Sequence, residues 1–192
     1  MTMTGQTKSY AMAAAGAALL VLALMAGAAV KPATAAAACA HSDDTHATAT
    51  VSQLENSLAC LINAKRHDRD KHGLDRNGKL DEAAAKHSRQ MVKKDCISHK
   101  CPGEKGLGGR IRDSGYLHGA TSWRYAESTG CKLTPKGMFD EWMNIKFHRR
   151  NILKAEFEDL GIGAVKGSPG GTNCHGNSAL TTYTAEFAWR KP

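Results

Sequence analysis

Apolar residues along this chain change period twice, and the changes mark out its elements. Between Met1 and Ala38 there is no period: two charges, Lys8 and Lys31, flank a run centred on Leu19-Leu20-Val21-Leu22-Ala23-Leu24-Met25. From Val51 the spacing becomes helical. Val51, Leu54, Leu58, Leu61 and Ile62 predict a first helix to about Arg66, with Ser52 as its cap. Charge-rich Lys65 to Asp75 breaks the pattern, and Arg76-Asn77-Gly78 reads as a turn. Leu80, Ala83, Ala84, His87 and Met91 then predict a second helix from about Asp81, where Asp81 and Glu82 suit a helix N-terminus. A short helix around Arg110 to Ser114 and a strand near Trp123 to Glu127 follow. Thr134-Pro135 is a cap followed by proline at the first helical position, opening a helix through Met138, Phe139, Trp142 and Met143. His148 to Leu153 adds one further turn. The period falls to two at the end: Leu160, Ile162 and Ala164, then Tyr183, Ala185, Phe187 and Trp189, predict two strands joined by the glycine-rich loop 166–178. Helices early and strands late, without βαβ alternation, predict an α+β fold.

Charge and cysteine content place this fold. The first 38 residues have the make-up of an export signal, with Ala-x-Ala sites in Thr34-Ala35-Ala36-Ala37-Ala38 and cleavage expected after Ala38. The alternative is an uncleaved anchor, since Ala11 to Val30 reaches the ~20 apolar residues that span a bilayer; membrane contact is expected only through this segment. Residues 39–50 are small and polar and read as a short tether, leaving 51–192 as one domain. The net charge of +8 falls to +6 without Lys8 and Lys31, and favours anionic partners such as wall polymers or lipid headgroups. No nucleic-acid motif accompanies it. All six cysteines, Cys39, Cys60, Cys96, Cys101, Cys131 and Cys174, lie beyond the signal, as expected of three disulfides in an oxidising compartment. Fifteen pairings are open; we take Cys39–Cys60, Cys96–Cys101 and Cys131–Cys174. A lipid on Cys39 is disfavoured because no leucine stands three residues upstream.

Three separated segments carry the candidate chemistry: Ser98-His99-Lys100-Cys101-Pro102-Gly103, Tyr125-Ala126-Glu127-Ser128, and Trp142 through Leu153 with His148-Arg149-Arg150-Asn151-Ile152-Leu153 at its end. Their order resembles the CAP superfamily (cysteine-rich secretory, antigen 5 and pathogenesis-related 1 proteins), in its bacterial secreted branch with S-H-x-x-P-x-G, G-E-N-I and W-x-x-x-x-G-H-R-x-N-I-L. Leu61-Ile62-Asn63-Ala64, His87-Ser88-Arg89-Gln90-Met91, Arg110 to Tyr116 and Leu160-Gly161-Ile162-Gly163 extend the resemblance over about residues 54–189. It implies a disulfide-stabilised, three-layer α-β-α sandwich, secreted or wall-associated, with a cleft formed by His99, Glu127 and His148. Two neutral imidazoles, His99 and His148, are then expected to bind zinc or another divalent cation, with Glu127 completing or orienting the site. The chain departs from the family pattern where Ile145 stands in place of a second glutamate, where Ala126 and Ser128 flank Glu127, and where Phe147 precedes His148. Glu141 lies one helical turn before Ile145.

His87 lies on the apolar stripe with Met91 and is expected in the core. Cys96, His99 and Cys101 form a metal set only if reduced. Without the family pattern Glu127 reads as a strand residue facing solvent, and Arg149 and Asn151 are expected either to reach the cleft or to brace a turn. Asp75-Arg76-Asn77-Gly78-Lys79-Leu80 resembles a calcium loop, but the register puts Gly73 first and Ala84 twelfth, where ligands belong. No Gly-x-Ser-x-Gly elbow, His-Glu-x-x-His helix or phosphate-binding glycine loop is present. The leading expectation is a binding module for an anionic envelope component, a lipid or a protein; the alternative is a metal-assisted hydrolase with Glu127 as general base.

Overall fold

The computed structural model describes residues 39–170 and 174–192; the export signal expected over residues 1–38 lies outside them. Five helices and four strands are formed there: α1 Val51–His67, β1 Asp75–Arg76, α2 Gly78–Lys93, α3 Leu107–Asp113, β2 Ser122–Lys132, α4 Pro135–Asn144, α5 Lys146–Leu153, β3 Asp159–Lys166 and β4 Thr181–Lys191. The fold is α+β, and the strands form one sheet in the order β1-β3-β4-β2. β2 and β3 both run antiparallel to β4, while the two-residue β1 is parallel to β3.

Alternation along the strands divides the sheet into two covered faces. Leu160, Ile162 and Ala164 of β3 and Tyr183, Ala185 and Phe187 of β4 pack on one side with Leu54, Leu58 and Ile62 of α1, Met138 and Trp142 of α4, and Ile152 of α5. The opposite side meets α2 and α3 through Leu80, Ile111 and Ala188. There the two central odd positions of β3 are glycines: a Cβ on Gly161 would lie 2.2 Å from the Leu80 carbonyl carbon, and one on Gly163 2.1 Å from the Ala85 nitrogen. Glycine therefore lets the α2 backbone rest on the strand. This is the three-layer sandwich the family pattern implied.

Boundaries moved where a cap lay outside the apolar pattern. α1 is capped by Thr50 rather than Ser52: the Thr50 hydroxyl accepts from the Gln53 amide at 3.2 Å, and the Gln53 side chain accepts from the Thr50 amide at 2.8 Å, a reciprocal box. α2 starts three residues before Asp81, because Asn77 accepts from the Lys79 amide at 3.1 Å. Arg76, expected in a turn with Asn77 and Gly78, instead pairs with β3, as does Asp75 before it. The stretch 40–50, read as a tether, is docked: Cys39 is bonded to Cys60, Ser42 is buried and its carbonyl accepts from the Lys136 amide, and His46 reaches Thr181. All three expected disulfides are formed, with Cα separations of 5.7, 5.8 and 5.9 Å.

Arg66 explains why the charge-rich segment after α1 is ordered. Its guanidinium is wholly buried and donates to the carbonyls of His72, Ile152, Lys154 and Phe157, tying the end of α1 to the end of α5. Those carbonyls would otherwise be buried without partners. The tie anchors the helix that carries His148.

Candidate functional site

β2 is an edge strand, and its free edge is where the candidate residues meet. Odd positions of β2 face α2 and α3; even positions face α4 and α5. Glu127 therefore projects to one side and Ser128 to the other, and a loop on the first side can face a helix on the second around the strand's edge.

Glu127 is the anchor on the α2–α3 side. Its carboxylate is buried, with one oxygen 2.7 Å from His99 Nδ1 and the other accepting from Arg110 Nη2. Arg110 is buried as well and also donates to the carbonyls of His99 and Lys105, both at 3.1 Å. One guanidinium thus fixes the carboxylate and the backbone of the histidine it holds. The His99 loop is closed by Cys96–Cys101 and turned by Pro102-Gly103, where Gly103 takes φ +76°, a backbone region that side chains disfavour. His99 itself is 62% exposed. The hydrogen bond to Glu127 raises its pKa above the ordinary imidazole value, and partial burial opposes this.

His148 approaches from α5. Its Nδ1 lies 2.9 Å from the Ser128 hydroxyl, and its ring is 6.2 Å from that of Trp142. Asn151, one turn later, donates to the Glu127 carbonyl at 2.9 Å, so α5 is fastened to the strand edge. Arg149 does not enter the site and instead donates to the Met143 and Asn144 carbonyls. Burial lowers the His148 pKa, and the charge of His99 lowers it further, which places the two imidazoles within electrostatic reach. The expected trio is therefore gathered at one strand edge, with one histidine biased toward its cation and the other toward its neutral form.

Beneath the trio lies a charged layer that was not expected. Glu104, five residues after His99, accepts from the Cys101 amide at 3.1 Å and lies 2.9 Å from His87 Nδ1. His87 is fully buried, as expected of a core histidine, yet its Nε2 has no hydrogen-bond partner among the described residues and lies 3.8 Å from Glu127. Glu186 of β4, cross-strand from Glu127, is also fully buried, and neither of its oxygens is hydrogen-bonded to a described residue. Burial, then the neighbouring charge of Glu127, push its pKa up to about 9, against a partial opposing effect of Arg110, so it is protonated at neutral pH. Glu104 was legible in principle, as an acidic residue in the loop already singled out for His99. Glu186 gave no such signal, because it sits in a strand whose neighbours are apolar or hydroxylic.

The donor set fits a metal only in part. Among the described residues no group of three or more His, Cys, Asp or Glu side chains is arranged to hold an ion. Cys96 and Cys101 are consumed in a disulfide, which removes the Cys-His-Cys alternative. Both oxygens of Glu127 are engaged. Glu141 is ion-paired with Lys132, and Ile145 is 40% exposed between α4 and α5, so neither adds a carboxylate to the cleft.

A disulfide-bonded α-β-α sandwich with an imidazole–carboxylate site on its edge strand defines a recognisable class of protein. Residues 60–186 match the cysteine-rich secretory protein family, CAP, and the chain belongs to it. The YkwD protein of Bacillus subtilis is 27% identical over 122 residues, a match spanning 64% of this chain and 46% of that protein, so this chain corresponds to about half of its length. Solved structures with the same fold include an SCP-domain extracellular protein of Bacillus anthracis (22% identity, TM-score 0.56, covering 71% of this chain and 42% of that one). Another is an outer surface protein of Borrelia burgdorferi (16% identity, TM-score 0.55, covering 70% and 90%).

Proposed function

We propose that this chain is a secreted binding module whose ligand is held at the β2 edge between His99 and His148. The observation that carries the reading is the state of Glu127. A general base must reach the water it deprotonates, whereas the Glu127 side chain is 1% exposed, with one oxygen accepting from Arg110 and the other held against His99. The carboxylate acts as a brace. It holds a largely exposed histidine, biased toward its cation, beside the open cleft, an arrangement suited to an anionic group on a lipid, wall polymer or protein. The descriptions of the Bacillus anthracis and Borrelia relatives as extracellular and outer surface proteins support export, as do the three disulfides.

Divalent-metal binding is a secondary part of the proposal. His99 and His148 each use Nδ1 toward the protein, and a histidine braced in this way by a carboxylate presents its other nitrogen as a ligand. A zinc ion there would supply a positive centre for an anionic ligand. The remaining coordination positions would fall to water or that ligand. Zinc titration by calorimetry checks this. Wild type is expected to bind at pH 8 and to lose affinity as pH falls through the raised His99 pKa, because protons compete for the ring; His99→Ala and His148→Ala are each expected to weaken binding at least tenfold. Equal heats in all three proteins would remove the metal from the proposal. Chelator-sensitive turnover of a peptide, ester or wall substrate, lost in Glu127→Gln, would instead establish the hydrolase.

A further inference from the structure

The sheet has two outer edges, and they are closed to different degrees. On β3 the outward amides of Ile162 and Ala164 donate to the side chains of Asp81 and Glu55, at 2.8 and 2.9 Å. That register turns the even positions of β4 toward β3 and its odd positions toward β2. The even positions of β2 therefore bond β4, and its odd positions point outward. Two outward carbonyls of β2 are covered, Glu127 by the Asn151 amide and Thr129 by the Trp142 indole. Trp123 and Tyr125, at the other end, have no such cover among the described residues. Ser122 through Tyr125 are exposed, Trp123 at 41% and Tyr125 at 38%.

A recess of about 580 Å³ adjoins this uncovered stretch, lined by Tyr125, Ala126, Arg150, Asn151, Leu153, Lys154 and Phe157. Ala126, Leu153 and Phe157 provide an apolar wall. The charged groups in the lining are both cations. Arg150 lies over the Phe147 ring, Lys154 over Phe157, and Arg124 nearby on β2 over Trp189. None of the three is in an ion pair with a carboxylate among the described residues.

We infer that the Trp123–Tyr125 edge and its recess form a docking site for an extended acidic peptide, which adds a fifth strand beside β2. Backbone pairing at the two outward residues gives about four hydrogen bonds. Alternate side chains of the added strand point to one face, so an apolar residue enters the recess while flanking acidic residues meet Arg150 and Lys154. Charge complementarity selects this occupant over a second copy of the chain, which would bring its own Arg124 against that of its partner. The site is separate from His99 and does not depend on the function proposed above.

The probe is a capped, fluorescein-labelled decapeptide alternating valine and glutamate, read by anisotropy against the full chain. Binding is expected to be specific to this peptide over its valine–lysine counterpart, to weaken at least tenfold in Arg150→Glu/Lys154→Glu, and to be lost when the peptide's alternate amides are N-methylated. Trp123→Pro removes one outward donor without breaking the ladder to β4 and is expected to weaken binding while leaving the melting temperature within a few degrees; His99→Ala is expected to leave binding unchanged. Binding that survives N-methylation would show simple polyanion attraction and overturn the inference. So would sedimentation that reveals dimers abolished by Trp123→Pro, or association with anionic vesicles in place of the peptide.

Discussion

Glu186 shows most clearly how one residue departs from its ordinary behaviour. An unfolded glutamate loses its proton near pH ~4.3, whereas this one, buried beside Glu127, holds it up to about pH 9. A folded pKa raised above the unfolded value means that stability is fullest below the lower value and declines as pH rises toward the upper one. Glu186→Gln keeps the shape and removes the titration. The variant is expected to be more stable than wild type at pH 8 by at least ~1.4 kcal/mol, a tenfold change in the folding equilibrium, with the difference vanishing near pH 4; urea titrations at both pH values check it. His99 follows the same sign, its contribution present below ~6.5 and lost as pH rises through its raised pKa. His148 is opposite, stabilising above ~6.5 and losing that contribution as pH falls through its lowered value. Because the Glu127 hydrogen bond is the main cause at His99, Glu127→Gln is expected to return the His99 midpoint toward ~6.5, followed by NMR of the ring protons. An unmoved midpoint would show that the bond is absent in solution.

The decisive contact between elements is the seating of α2 on β3. A methyl group at position 163 would meet the Ala84 and Ala85 backbone, which has no flexible side chain to yield. Gly163→Ala is therefore expected to destabilise by about 3 kcal/mol, and to displace α2 together with His87, the partner of Glu104. Gly78 is the internal control: nothing lies within 4 Å of an added Cβ there, and Gly78→Ala is expected to be neutral or stabilising by about 0.5 kcal/mol. Chemical denaturation of both variants checks the pair. At this scale the sequence was highly legible where periodicity and cap coincided, as at Thr134-Pro135 and in β3 and β4. It was less so at Thr50 and Asn77, because those caps stand outside the apolar blocks that revealed the helices. The five-residue extension of β2 beyond Glu127 was also missed, since Ser128 to Lys132 lacks an alternating apolar signal and is held by its ladder to β4.

Across the whole molecule, the three disulfides fasten segments of different separation and are expected to matter unequally. Cys131 and Cys174 close 43 residues and Cys96 and Cys101 only 5. Chain-entropy reasoning puts the loss on paired Cys→Ser replacement at about 4 and about 2 kcal/mol respectively. The smaller loss carries the larger local consequence, because Cys96–Cys101 closes the loop that presents His99. The Cys96→Ser/Cys101→Ser protein is expected to melt only modestly earlier while its His99 resonance broadens and its titration moves toward that of a free imidazole; an unchanged His99 would mean that Arg110 alone holds the loop.

Sequence alone determined what depends on local spacing and ordered fragments, the α+β composition and the family resemblance; it nominated three site residues and left the cysteine pairing open among fifteen. Periodicity is a property of neighbours along the chain, and it survives without knowledge of the fold. Only the tertiary structure decided that Arg110 grips Glu127, that Glu104, His87 and Glu186 lie beneath the site, that Arg66 anchors α5, and that part of one strand edge stays open. Each of these joins residues distant in sequence or set by strand register, where burial in low dielectric, more than residue type, determines which charges are paired, which are neutralised and which face water.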